Sequence, residues 1–368
     1  MMVMVLHGYE AFSGWIHRPT FLSTDNTYSQ ANFIGQHLEQ LIRNFSLGVD
    51  FFFLISGFLI TYLLLTEKEK TGSIHIGKFY LRRILRIWPL YFFIVLSAPF
   101  IVSITSMPEP IYQWTALLLN NFQAIFYSGI YENGLPVASQ YPFMHFWSVC
   151  VEEHFYLFWP LVLAWTPQNK LPWTFAIIIF ISFIFRGYIF LNSPQAAEHL
   201  NWNTLAKIDT LSIGGWLAWI HFRKPIQWRI PQLARTAFFI LASVILIFTN
   251  SKDYGSIWEA LFRNYLYTAI FVFILISYLF DEGAWFRFRK KNFLHYLGKI
   301  SFGIYIYHNI LYLFIIKLII FRFDLRSLPL FCLLYLVTVI GISALSFHVL
   351  EKPFLKLKDK FALIDTSR

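Results

Sequence analysis

Residues 48–65 read GVDFFFLISGFLITYLLL, an apolar run with one formal charge, Asp50, near its start. A helix that crosses a bilayer needs about 20 mostly apolar residues, and its backbone polar groups must be bonded within the segment once water is gone. Working outward, comparable runs occur at roughly 84–104, 146–165, 174–192, 204–220, 236–250, 265–280, 296–320 and 329–349. A weaker run lies at 112–127, and a fragment of another ends near His7. The composition agrees: of 368 residues, 57% are hydrophobic, 20% aromatic and 14% charged. Soluble domains carry about 25% charged residues, and a soluble fold of this length could not cover so much apolar surface. The expected fold class is all-α: a polytopic transmembrane helical bundle of about ten spans, the first of them truncated.

The net charge of +10 reports topology rather than a nucleic-acid partner, because Lys and Arg of membrane proteins collect in cytoplasmic loops. Segments 66–88, 221–235, 281–295 and the C-terminal tail are basic, whereas 105–145 and 193–203 hold no Lys or Arg. All four basic segments share one side only if 112–127 does not cross. That gives ten spans with both termini in the cytoplasm; an eleven-span arrangement would place 128–145 inside. About six residues precede His7, too few for a span, so the true start is expected upstream. The opening MMVMVLHGYE has no basic n-region or small-residue cleavage site. Residues 1–353 read as one transmembrane domain and 354–368 as a basic cytoplasmic tail. Cys150 and Cys332 lie in apolar runs without ligand spacing and read as packing residues. No metal cluster, GxGxxG or P-loop is present, so no metal or nucleoside triphosphate is expected.

An ionisable group inside a bilayer costs roughly 2.5–3.5 kcal/mol, so each one needs a reason. His7, Asp50, His145, Glu152, Glu153, His154, Arg186, Asp209 and His308 are such groups, most of them in the outer half of a ten-span arrangement. They describe either a polar pocket open to the outer face or charge pairs that pin helices, with Arg186 and Asp209 the plainest pair. At the inner side, FYLRRILRIWPLYF (79–92) places Arg82 and Arg86, or Arg83 and Arg86, on one helical face. Guanidinium forks suit the phosphates of a donor such as acyl-CoA. Basic residues here equally satisfy the positive-inside rule and touch lipid phosphate. His7 has the chemistry of a general base, and is otherwise an interfacial residue at a helix end.

Taken together, GVDFFFLISGFLITYLLL (48–65), FYLRRILRIWPLYF (79–92), FWSVCVEEHFYLFWP (146–160), KIDTLSIGGWLA (207–218), ISFGIYIYH (300–308) and LEKPF (350–354) resemble, in order and spacing, the acyltransferase-3 family of membrane-bound acyltransferases. The resemblance runs from His7 to Pro353. It implies transfer of an acyl group, acetyl above all, from cytoplasmic acyl-CoA to a hydroxyl of an envelope polysaccharide such as lipopolysaccharide, a lipid-linked sugar or an exported metabolite. Acyl-CoA is then a co-substrate, with no cofactor bound. It implies catalytic roles for His7, Glu152 and Glu153, and donor binding by Arg82, Arg83 and Arg86. Asp50, Ser56, Asp209, Ser301, Tyr305 and His308 fall in its motif segments as candidate pocket residues, with a Ser301 or Tyr305 hydroxyl as a possible oxyanion donor. Two departures stand out: Lys207 occupies a position where arginine is common, and the arginine expected ten or eleven residues before His7 would precede Met1. The rival readings are a transporter or flippase, which shares midplane charges, and a non-catalytic scaffold subunit.

Overall fold

The computed structural model describes residues 2–6, 37, 40–105, 145–194, 196–226, 230–251, 254–279, 293–315 and 328–361. His7, the stretch 112–127 and most of the polar segment 8–48 lie outside them. Every regular element among the described residues is helical. In chain order these are α1 (Gly48–Thr71), α2 (Ile76–Thr105), α3 (Phe146–Trp165), α4 (Leu171–Asn192), α5 (Ala196–Trp202), α6 (Thr204–Arg223), α7 (Gln232–Phe248), α8 (Ile257–Leu279), α9 (Phe293–Lys299), α10 (Ser301–Ile315), α11 (Leu328–Ser346) and, after a π-helical turn at Phe347–Glu351, α12 (Lys352–Asp359). The chain is a polytopic helical protein. Among the described residues, the continuous helices Gln40–Thr71, Leu171–Asn192, Ile257–Leu279 and Pro329–Asp359 are long and apolar enough to cross a bilayer.

The lipid-facing side is legible on α4. Trp173, Ile177, Phe180, Ile184, Tyr188 and Leu191 follow one another at three- and four-residue steps and are exposed, while Phe175, Ser182 and Arg186 on the opposite stripe are buried. An exposed apolar stripe with a polar buried one inverts the soluble pattern and suits hydrocarbon as solvent. Helix association in that solvent depends on close packing of small residues. The tightest seam is α1 against α6. A Cβ on Gly57 would sit 1.9 Å from the carbonyl oxygen of Leu211, and one on Gly214 2.1 Å from that of Leu54, so only glycine admits this approach. The SGF of α1 and the IGG of α6 are two halves of one contact.

Side-chain bonds at helix ends fix the relative directions. Before α1, the buried Asn44 amide donates to the Leu246 and Thr249 carbonyls, each at 2.6 Å, and its oxygen accepts from Ser251 N–H at 3.0 Å. These bonds satisfy the orphan groups that end α7. At the other end of α1, Lys68 Nζ donates to the Leu163 and Ala164 carbonyls at 2.8 and 3.1 Å. A cation is favourable at the C-terminus of α3, where the helix dipole is negative. Gly72, at φ 76°, then closes α1 in the left-handed conformation. The C-termini of α1 and α3 therefore share a face, and these two helices run parallel. α2 runs against α3, since Tyr80 reaches Leu157 O at 2.6 Å while the Tyr91 and Phe146 rings meet at 5.4 Å. Thr105 and Phe146 thus lie toward the same face.

The helices outrun the apolar runs that mark them. α1 continues to Thr71 and α2 begins at Ile76. The added turns hold Glu, Lys and Arg, which are good helix formers that solvate readily beyond the hydrocarbon. This extension puts Arg82 and Arg83 on the same regular helix as Arg86.

Candidate active site

α3 carries Ser148, Glu152 and Tyr156 at successive four-residue steps, so all three face one direction. Glu152 and Tyr156 are buried. Tyr156 Oη donates to Glu152 Oε1 at 3.0 Å and lies 2.6 Å from Ser56 Oγ on α1. A phenol has one proton. With that proton on the carboxylate, Ser56 is the donor to Tyr156, and a directed chain runs from Ser56 through Tyr156 to Glu152. Pro160 removes the N–H that would bond the Tyr156 carbonyl, and Tyr80 donates to the next carbonyl, Leu157, at 2.6 Å.

α2 brings its arginines to this chain. The Arg83 guanidinium stacks over the rings of Phe79 and Tyr156, with Cζ 5.5 and 5.6 Å from the centroids. Arg86, one turn further along, is exposed and lies within Coulombic range of Glu152 and Glu351. Arg82 is engaged differently: its Nη2 meets Glu67 Oε2 at 2.8 Å, and that buried carboxylate also accepts from His75 N–H at 2.8 Å. Glu153 accepts from Trp88 Nε1 at 3.3 Å. Around this layer, Arg83 Nε, Glu153 Oε1, Glu351 Oε1 and the Tyr91 hydroxyl are buried without a hydrogen-bond partner among the described residues. Buried polar atoms are rarely left so. The tail helix α12 packs against α2 beyond the last apolar span. There, burial and the neighbouring Arg86 hold the Lys358 amine below the usual lysine range.

A second polar group lies one turn from Glu152. Ser148 Oγ is hydrogen-bonded to Tyr305 Oη, which donates to the His145 carbonyl at 2.8 Å. His145 Nδ1 lies 3.2 Å from Asn309 Nδ2, and its Nε2 lies 3.1 Å from the Ile306 carbonyl. The Asn309 amide on one side and the Ile306 carbonyl on the other hold the imidazole ring in place. The His308 ring stands 4.7 Å from that of His145, with its Nδ1 bonded to the Tyr305 carbonyl.

The other candidate residues lie elsewhere. Asp50 on α1 pairs with Lys207 on α6 at 2.8 Å, and Asp209 pairs with Arg186 on α4 at 2.7 Å; all four are buried. Lys207 thus has a specific carboxylate partner. Ser301 is exposed and donates to the Gly298 carbonyl at 2.8 Å. His154 Nδ1 meets Thr204 Oγ1 at 2.8 Å. His7 lies outside the described residues. Sequence reasoning did not single out Tyr156, Ser148, Glu67, Glu351 or Lys358. The first two are visible as the polar stripe Ser148–Glu152–Tyr156. Glu351 stands in the quoted LEKPF segment. Glu67 and Lys358 carry no signal beyond charge, because their positions depend on which helices meet. Among the described residues no cluster of His, Cys, Asp or Glu could hold a metal ion.

The chain belongs to the acyltransferase-3 family: the family profile, described as an acyltransferase domain, matches residues 1–347. It is similar to the peptidoglycan O-acetyltransferase OatA of Listeria monocytogenes, 26% identical over 280 residues that cover 71% of this chain and 44% of that protein. It is also similar to the O-acetyltransferase OatA of Staphylococcus aureus (strain NCTC 8325), 26% identical over 288 residues, covering 73% and 46%. A third relative, from S. aureus strain COL, is provisionally named an O-acetyltransferase and is 27% identical over 282 residues, covering 71% and 45%. The chain therefore spans less than half the length of these relatives. No solved structure matches it significantly.

Proposed function

We propose that this chain is an integral-membrane O-acyltransferase that moves an acetyl group from acyl-CoA to a hydroxyl of an envelope glycan, a lipid-linked sugar or an exported metabolite. The observation that carries the reading is the buried Ser56–Tyr156–Glu152 chain beside the Arg83 guanidinium. A carboxyl of α3 and a guanidinium of α2 are gathered around the Tyr156 ring inside an apolar bundle, and packing alone gives no reason to bring them together. The basic ends of α1 and α2 face the cytoplasm by the positive-inside rule. Arg83 and Arg86 face the phosphates of the donor, since Glu67 already neutralises Arg82. His7 is the general base, held in register by Glu152 or Glu153. It removes the acceptor hydroxyl proton as the oxygen attacks the thioester carbon. The C–O bond forms, the C–S bond breaks, and the thiolate leaves and takes up the proton. Tyr305 and Ser301, whose hydroxyls lie within reach of the His145 and Gly298 carbonyls, are the candidate oxyanion donors, and each would have to turn its proton to the substrate to act as one. One relative is named a peptidoglycan O-acetyltransferase, which makes peptidoglycan the first acceptor to try.

The test is reconstituted full-length protein with acetyl-CoA and envelope fractions, followed by free-thiol release and glycan mass. Acceptor-dependent release that vanishes in a normally expressed His7→Ala variant supports the mechanism. A fully active His7→Ala protein would sink it, and glycan movement without thiol release would favour a flippase.

A further inference from the structure

The tail helix α12 has two unlike faces. Lys352, Lys356 and Lys360 are exposed, whereas Glu351, Leu355, Lys358 and Phe361, spaced at four and three residues, form the more buried stripe. The helix lies on α2, and Arg82 Nη1 donates to the Phe361 carbonyl at 3.3 Å, fastening the end of the tail to the arginine helix. Lys358 is thereby placed within Coulombic range of Arg86 and Arg83. Its own carboxylate neighbour is the exposed Asp359 at 3.6 Å.

The arginines it approaches are unspent. Among the described residues, neither Arg83 nor Arg86 makes an ion pair or a hydrogen bond; Arg83 rests on two aromatic faces, and Glu152, Glu153 and Glu351 lie beyond ion-pair distance. Three cations with free N–H donors therefore converge from two elements. Such a cluster repels itself when empty and attracts when a phosphate dianion lies between its members. Nothing in the apolar pattern of α12 calls for turning a lysine inward, since Lys352, Lys356 and Lys360 show that this helix can present lysine to solvent.

We propose that Lys358 is a donor-binding residue: the tail folds back onto α2 and completes, with Arg83 and Arg86, a site for the phosphate groups of a nucleotide-bearing thioester. The proposal rests on the acyl-CoA reading above. A lipid phosphate headgroup offers the same chemistry, so the experiment must separate the two sources.

The test uses full-length protein in phosphatidylcholine nanodiscs and compares wild type with Lys358→Gln, Lys358→Arg and Lys356→Gln, the last altering a solvent-facing lysine of the same helix. CoA binding is measured by calorimetry at two salt concentrations, and KM and kcat for acetyl-CoA by thiol release. Expected are a Kd for CoA about tenfold weaker in Lys358→Gln, a shallower salt dependence, a raised KM with kcat nearly kept, an intermediate Kd in Lys358→Arg, which keeps the charge, and wild-type behaviour in Lys356→Gln. Equal CoA affinity in wild type and Lys358→Gln overturns the proposal. If wild type takes no CoA, the donor reading fails, and the remaining arms decide the site itself. Thermal stabilisation by phosphatidylglycerol nanodiscs that is lost in Lys358→Gln assigns the cluster to lipid headgroups, against a nucleotide role. The absence of any Lys358-dependent stabilisation by phosphatidylglycerol or inorganic pyrophosphate removes the anion site altogether.

Discussion

Gly57→Ala tests the seam on which the site is built. The added Cβ would lie 1.9 Å from the carbonyl oxygen of Leu211, where ordinary contact begins near 3.4 Å, so α1 and α6 must part by about 1.5 Å. The obstacle is backbone, which cannot swing aside as a side chain can. Overpacking of this kind costs about 3 kcal/mol, the upper end of the usual range, or roughly 150-fold in the unfolding equilibrium. Gly77→Ala is the control: it also replaces a helical glycine, meets nothing within 4 Å, and should stabilise by about 0.5–1 kcal/mol through backbone entropy. Gly214→Ala should resemble Gly57→Ala, because its Cβ would lie 2.1 Å from the Leu54 carbonyl oxygen. The double variant should cost less than the sum, since separation forced by one methyl relieves the other. Unfolding in mixed micelles by graded addition of denaturing detergent reads all four. Donor turnover should fall as well, because Ser56 adjoins Gly57 and would be drawn from Tyr156. A Gly57→Ala protein whose stability lies within about 0.5 kcal/mol of Gly77→Ala would refute the claim that backbone proximity holds this seam.

Three further expectations concern the polar groups and the topology. Tyr156→Phe removes the link between Ser56 and Glu152 and leaves a buried carboxylate short of a donor; a loss of about 1–3 kcal/mol in stability, with a fall in thiol-release kcat, is expected, and unchanged turnover would remove Tyr156 from the mechanism. Arg186→Leu strands the Asp209 carboxylate and should destabilise by about 3–5 kcal/mol, while Arg186→Leu with Asp209→Leu should recover most of the loss; a neutral single variant in thermal unfolding would contradict the pairing. In a protein with Cys150 and Cys332 replaced by alanine, Ser139→Cys and Lys224→Cys should label with a membrane-impermeant maleimide from opposite sides of intact cells or inverted vesicles. Labelling from the same side would overturn the orientation.

The sequence alone determined that lipid is the solvent and that helices are the elements, because both follow from local composition. Runs such as 48–65 and 174–192 are too apolar and too long for anything else. The Arg186–Asp209 pair was also legible, since opposite charges near the same level of consecutive helices have few other partners. Candidate site residues were legible as types: carboxylates within a span and arginines at its edge each raise a question that the residue itself poses. Their grouping was not. Reading by topology put Glu152 toward one side of the membrane and Arg83 toward the other, yet the antiparallel packing of α2 on α3 stacks Arg83 on Tyr156, one turn from Glu152. The same reading offered Asp50 and Asp209 as pocket candidates without showing that the approach of α6 to α1 and α4 pairs Asp50 with Lys207 and Asp209 with Arg186. Nor does the sequence separate Arg82 from Arg83 and Arg86; Glu67 does so by its position at the end of α1. A charge advertises its cost in the sequence, but its compensation comes from whichever helix lies across from it, and that is settled by inter-helix packing between residues far apart in the chain, 157 positions for Asp50 and Lys207.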